Sequence, residues 1–242
     1  MEDLYHWKLK FIPCSYSDRL LEKLVYLNEV AVKKVDITQV RKAIYYAKKY
    51  HGEQKRQSGE PYYSHPLEVA YMVSSYLFRT DIIITSILHD TIEDTELTFE
   101  KIQEIFGGVV AGQVMDLTRI KEDGRKISSS EMVESLWLQK KYDVLLIKQF
   151  DRLHNIQTIG AKSPEKIKKI MEETVNTFLL LAAYLGIPEY QEELRQMCAK
   201  IIAPDKNYLQ NKKTFISDNY QLPSLDFENE ISQMQNRKSS AP

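Results

Sequence analysis

The sequence predicts an all-α protein, a helical bundle of about ten helices. Three observations carry the all-α class. Apolar residues recur at three- and four-residue spacing along most of the chain. Gly and Pro number only 8 each among 242 residues, and the abundant Lys, Glu, Leu and Ile favour helix. No segment keeps the one-in-two alternation of a half-buried strand.

The elements follow in order. Residues 1–16 are mixed and aromatic, with Trp7, Phe11 and Tyr16, and are expected to pack loosely. A helix begins at Ser17, with Leu20, Leu21, Leu24 and Leu27 on one face, and extends to about residue 35. Asp36 or Thr38 caps a second helix over 40–50, closed by His51-Gly52. The polar stretch 53–64, with Gly59 and Pro61, is a loop. Pro66 suits the first position of a helix over 66–78. Asp81 caps an unbroken helix over 82–93. Thr98 starts a short helix that Gly107-Gly108 stops, and another covers 109–120. After a charged loop at 121–126, helices are expected over 128–142 and 143–159. Ser163 and Pro164 open a helix to residue 185, closed by Gly186, and 188–202 forms the last. Residues 204–242 are polar and read as a partly disordered tail.

Bulk properties narrow the function. A 43% apolar and 28% charged composition is that of a globular domain. The 33 basic and 34 acidic residues argue against a nucleic-acid partner but leave room for a local anion pocket. Cys14 and Cys198 cannot form a disulfide framework, which fits a cytoplasmic protein. Met1-Glu2-Asp3 lacks the basic start of a signal peptide. The apolar runs 82–88 and 178–187 fall short of the ~20 residues that a membrane span requires, so no membrane partner is expected.

Three segments carry chemistry. In Ile87-Leu88-His89-Asp90-Thr91-Ile92-Glu93-Asp94, four metal-binding or proton-moving groups follow an apolar run. On one helix His89 would share a face with Glu93, and Asp90 with Asp94. Such groups suit a cation or proton transfer, or simply a solvated helix end. In the apolar segment 144–155, Asp151, Asn155 and Thr158 form a polar stripe at i, i+4 and i+7. Asp151 there needs a partner: Arg152, a core lysine or a metal. In Lys55-Arg56-Gln57-Ser58-Gly59-Glu60-Pro61-Tyr62-Tyr63-Ser64-His65-Pro66, His65 either caps a helix or joins a basic loop of phosphate-gripping type.

Taken together, His65…His89-Asp90…Asp151 resembles the ligand signature of HD-domain metal phosphohydrolases. The words Arg56-Gln57-Ser58-Gly59-Glu60-Pro61-Tyr62, His65-Pro66-Leu67, Leu88-His89-Asp90-Thr91-Ile92-Glu93-Asp94-Thr95 and Asp151-Arg152-Leu153-His154-Asn155 resemble the hydrolase domain of the RelA/SpoT homologues. The similarity covers roughly residues 38–203, so 1–37 reads as a helical extension and 204–242 as a tail. The resemblance implies a (p)ppGpp 3′-pyrophosphohydrolase, releasing GDP or GTP and pyrophosphate. It implies one Mn²⁺ on His65, His89, Asp90 and Asp151. It also implies catalytic acids Glu93 and Asp94, and substrate contacts from Arg56, Ser58, Asn155 and Thr158.

Further candidate cations for the substrate are Lys48, Lys55, Lys121, Lys148 and Arg152, each with a solvated surface charge as its ordinary reading. Two positions depart from the family pattern: Gln57, where a basic residue is common, and Phe150, where small residues precede the Asp. The 38 residues after Pro204 are too few for the synthetase domain of the long relatives, so no synthesis is expected. A homodimer is left open. The competing readings are an HD nucleotidase with another substrate and a non-catalytic alarmone-binding module.

Overall fold

The computed structural model describes residues 3–120 and 124–202. Among them there is no strand. Two isolated antiparallel bridges, Lys55 with Pro61 and Ile120 with Lys126, close loops between helices. The expected tail over 204–242 and the candidate cation Lys121 lie outside the described residues. The chain divides into two compact units, Met1–Lys162 and Ser163–Pro242.

The first unit holds α1 (Asp3–Lys10), α2 (Ser15–Val30), α3 (Ile37–His51), α4 (Ser64–Val73), α5 (Thr80–Leu88), α6 (Thr91–Asp94), α7 (Phe99–Phe106), α8 (Gly108–Leu117), α9 (Ser129–Leu138) and α10 (Tyr142–Gln157). Leu20 and Leu24 of α2, Val40, Ala43, Ile44 and Ala47 of α3, Leu67 and Ala70 of α4, and Ile83, Ile87 and Leu88 of α5 are almost fully buried in one cluster. Full burial of each large aliphatic chain is worth about 1.5–3 kcal/mol. Helix α4 packs on α5 and α10, and α3 packs on α5. These are the helices that carry His65, His89 and Asp151.

Several boundaries have a local cause. Asp36 caps α3 by accepting from the Thr38 and Gln39 N–H groups at 2.8 and 3.0 Å. Thr98 caps α7 through the Lys101 N–H. Gly107 joins α7 to α8 at φ +89°, a conformation disfavoured by a Cβ. The segment before α2 is not loose: α1 forms there, and Trp7 is buried on a helix packed against α3.

The unbroken helix expected over 82–93 is interrupted. Helix α5 ends at Leu88, and α6 begins at Thr91. Side chains take the carbonyls at the junction: Ser86 Oγ donates to Ile82 O, His89 Nδ1 to Ser86 O, and Thr91 Oγ1 to Leu88 O, at 2.7–2.8 Å. Such bonds compete with the helical ladder. Thus His89 and Glu93 do not share a helix. Helix α4 is likewise shorter than 66–78, starting at Ser64 and stopping at Val73. Asp81 sits in the first turn of α5, and Arg79 occupies the cap position without a side-chain capping bond, its guanidinium pairing with Asp81 and Asp143.

The second unit holds α11 (Pro164–Glu173), α12 (Leu179–Tyr184) and α13 (Pro188–Ile202). The helix expected over 164–185 is helical throughout but contains a π-turn at Thr174–Phe178. Thr174 Oγ1 donates to Ile170 O at 2.6 Å there, an insertion into the ladder of the kind that widens a turn. Ser163 holds the cap position of α11 without a side-chain bond to the backbone. Tyr190, Leu194 and Cys198 form the buried stripe of α13.

Replacing Asp36 by Ala removes both capping bonds and is expected to cost about 1 kcal/mol. Urea unfolding followed by circular dichroism checks this; an unchanged midpoint would contradict the role of the cap.

Candidate metal centre and active site

Three helices converge on one buried cluster. His65 lies in the first turn of α4, His89 at the broken end of α5, and Asp151 in the middle of α10. One ligand atom from each lies within 4.8 Å of the others, and all three residues are buried. Asp90, displaced from regular helix by the break, brings Oδ1 to 3.1 Å from His89 Nε2 and Oδ2 to 3.6 Å from His65 Nε2. The four predicted ligands therefore meet.

The donor set fits a divalent cation. His89 Nδ1 is engaged with Ser86 O at 2.8 Å, which leaves Nε2 to face inward. That nitrogen is buried and forms no hydrogen bond, though Asp90 Oδ1 and Asp151 Oδ1 stand at 3.1 and 3.9 Å. Ligand atoms around a common ion, each bonded at about 2.1 Å, lie roughly 3–4 Å apart. An imidazole pair with carboxylates suits a borderline transition ion.

Charges are compensated locally. Burial opposes ionisation of Asp151, but Lys148 Nζ at 2.6 Å from Oδ2, with the imidazoles, holds its carboxyl well below the usual range. Lys148 is thus the buried lysine partner considered above, on the face of Asp151 that Oδ1 leaves free. Burial also opposes a charge on His89, yet Asp90 and Asp151 raise it to about 9. His65, fully enclosed, is pushed down by burial.

The two proposed catalytic acids separate. Burial opposes the Glu93 charge, but Lys126 Nζ at 2.6 Å, the Arg119 N–H at 3.1 Å and the Arg119 guanidinium at 3.0 Å keep its pKa low. Asp94 is raised by burial and by its neighbours Asp90 and Glu93, and it accepts the Tyr62 hydroxyl at 2.6 Å. Both acids wall a cleft of about 580 Å³ that Lys49, Tyr50, Gln54, Thr95 and Glu96 also line.

The polar stripe of α10 meets the loop before α4. Asn155 Nδ2 donates to Asp151 Oδ1 at 2.6 Å. Arg56 donates to Asn155 Oδ1 at 3.3 Å and to Thr158 Oγ1 at 3.0 Å. Arg56, Asn155 and Thr158 are therefore assembled beside the metal cluster. Ser58 is exposed on the turn closed by Gly59 N–H and Arg56 O, outside that network. Lys48 donates to Ile12 O, and Lys55 and Gln57 are exposed.

Sequence reasoning assigned no role to several residues here. His154 contacts His65 and Arg56; only its place inside the Asp151 word hinted at it. Arg119 and Lys126 flank a loop that reads as merely charged. His51 is buried, stacks on Tyr62 at 4.7 Å and leaves Nε2 without a hydrogen-bond partner.

The fold and this cluster define a helical domain with a buried group of His and Asp side chains able to hold a divalent ion. An HD-domain family model matches residues 43–188, and the chain belongs to the HD-domain family. Among similar curated proteins, a GTP pyrophosphokinase rsh of Brucella ovis is 38% identical over 193 residues, covering 77% of this chain and 26% of that protein. A guanosine-3′,5′-bis(diphosphate) 3′-pyrophosphohydrolase of Aquifex aeolicus is 39% identical over 170 residues, covering 69% and 24%. The chain spans about a quarter of the length of these relatives. A solved structure, described as a metazoan orthologue of SpoT that hydrolyses ppGpp, superposes with a TM-score of 0.50 at 20% identity, covering 67% of this chain and 93% of that one. It shares the fold.

Asp151→Ala is expected to abolish binding of a divalent ion in equilibrium dialysis, whereas Glu93→Ala retains it, because Glu93 bonds to Arg119 and Lys126 rather than to the cluster. Equal loss in both variants would contradict this division.

Proposed function

We propose that the chain hydrolyses the 3′-pyrophosphate of ppGpp and pppGpp, giving GDP or GTP and pyrophosphate, with Mn²⁺ as its ion. The observation that carries this reading is the convergence of His65, His89, Asp90 and Asp151, three of them buried, beside an unengaged inward-facing imidazole nitrogen. The hydrolase names of relatives at 34–39% identity supply the substrate. The pyrophosphokinase name belongs to a protein about three times as long, and the His–Asp cluster is chemistry for hydrolysis. No helix among the described residues is long and apolar enough to cross a membrane, in keeping with a cytoplasmic enzyme.

When bound, the ion supplies Lewis acidity to the phosphoryl oxygens and the attacking water. His65, His89, Asp90 and Asp151 would hold it. Asp94 is the residue suited to take the proton of the water, because its affinity for a proton is raised and a general base works best near the operating pH. Glu93, held ionised by Arg119 and Lys126, orients rather than accepts. Water adds across the bond between the ribose 3′-oxygen and its pyrophosphate, and that oxygen leaves with a proton. Arg56 offers a planar fork to phosphate or base, and Asn155 and Thr158 line the nucleoside side. Ser58 joins them if the loop folds onto substrate.

Purified protein with ppGpp and Mn²⁺ is expected to yield GDP and pyrophosphate, and EDTA to stop it. Binding without product would favour an alarmone-binding module, and turnover of ordinary nucleotides alone a general nucleotidase. The Tyr62 hydroxyl favours the ionised form of Asp94, so Tyr62→Phe raises the pKa of Asp94 further. The acidic limb of kcat/KM is then expected to move to higher pH; a limb that stays in place would remove Asp94 as the base.

A further inference from the structure

We propose that His51 is a positioning residue: from the end of α3 it braces both side chains that grip Asp94. The proposal rests on the reading of Asp94 as the group that takes the proton of the water. Helix α6 is a single turn, Thr91–Asp94, too short to hold its own shape. The carbonyl of its last residue, Asp94, needs a donor from outside the helix. Gln54 Nε2 supplies one at 3.0 Å, and the Tyr62 hydroxyl donates to the carboxylate Oδ2 at 2.6 Å. Main chain and side chain of Asp94 are thus both fixed from the loop that follows α3.

His51 stands behind both contacts. Its Nδ1 lies 2.9 Å from Gln54 Oε1. The amide nitrogen of Gln54 faces a carbonyl, so its oxygen faces His51, and Nδ1 is the donor. The imidazole also stacks on the Tyr62 ring at 4.7 Å, with the planes 24° apart. The backbone closes the same unit: the Gln54 N–H donates to His51 O at 2.9 Å, and the Tyr62 N–H to Gln54 O at 2.8 Å. One side chain therefore supports the amide and the ring that reach Asp94.

Packing alone does not explain this side chain. His51 is buried, and its Nε2 has no hydrogen-bond partner among the described residues. A buried polar atom without a partner destabilises a fold. Phenylalanine would fill the same space and stack on Tyr62 without that penalty. What phenylalanine lacks is the N–H that holds Gln54. The imidazole gives up stability at Nε2 and gains orientation of Asp94 through Nδ1.

The test uses the full chain with ppGpp and Mn²⁺. His51→Phe is expected to lower kcat about 10–100-fold, the range that a displacement of up to ~1 Å brings. KM, Mn²⁺ affinity and melting temperature are expected to stay at parent values, because no contact to substrate or ion is removed and the ring remains. His51→Asn, whose amide nitrogen can occupy the place of Nδ1, is expected to recover most of kcat. In a Gln54→Ala background, His51→Phe is expected to lower kcat no further, since the two act through one bond. Parent-like kcat in His51→Phe, an Asn variant as slow as the Phe variant, or a full additional loss in the Gln54→Ala background overturns the role of His51. If His51→Phe does not fold, Gln54→Ala decides, and parent-like kcat there overturns the role. A parent that leaves ppGpp intact, or Asp94→Asn with parent-like kcat, instead overturns the reading of Asp94 and this role with it.

Discussion

The structure depends on one buried carboxylate. Asp151 sits among apolar side chains of α10, where an uncompensated charge would cost several kcal/mol. Its two oxygens divide the compensation. Oδ2 accepts from Lys148, while Oδ1 accepts from Asn155 and faces His65 and His89. The Lys148 pair lets the charge exist in the core; the remaining oxygen is available for chemistry. Breaking such a pair from one side leaves a stranded charge, typically a loss of about 3–5 kcal/mol. The packing of α4 and α5 against α10 follows the same logic, since each helix delivers an imidazole to that oxygen.

The second constraint is the break between α5 and α6. A continuous helix would carry Glu93 round onto the face of His89, and four ionisable groups would crowd a single strip. The side-chain bonds of Ser86, His89 and Thr91 to carbonyls end the helix first. His89 and Asp90 then stay with the cluster, while Glu93 and Asp94 turn toward the cleft. There the electrostatics diverge: Glu93 meets two cations, and Asp94 meets a hydroxyl and two like charges. Adjacent acids with opposite shifts are the arrangement from which separate roles arise.

Much of this was legible in the sequence because it rests on periodicity. The helices 99–106 and 188–202, Asp36 as one of two cap candidates, the helix start at Thr98 and the stripe of Asp151, Asn155 and Thr158 follow from spacing, and the His and Asp residues of the cluster from the motif words. What escaped rests on partners far apart in sequence. Arg119 and Lys126 find Glu93 26 and 33 positions away, and Tyr62 finds Asp94 at 32. The break after Leu88 escaped because Ser, His and Thr are ordinary helix residues until their side chains turn onto carbonyls. Trp7 was read as loose since a single aromatic gives no period, yet it is buried. Phe150, one of the two departures from the family pattern, packs on Tyr76 at 5.0 Å without disturbing Asp151. Gln57 is exposed on its loop, so the charge absent there is absent from the surface facing solvent.

The charge of the cluster follows from its donor set. Two imidazoles and two carboxylates from separate elements meet within a few ångströms, and the carboxylates of Asp90 and Asp151 oppose one another's charge across that space. Lys148 and Asn155 compensate Asp151 alone, while His65 and His89 stand between the two acids. Like charges brought together away from water require a counter-charge, and a divalent cation suits imidazole and carboxylate donors together.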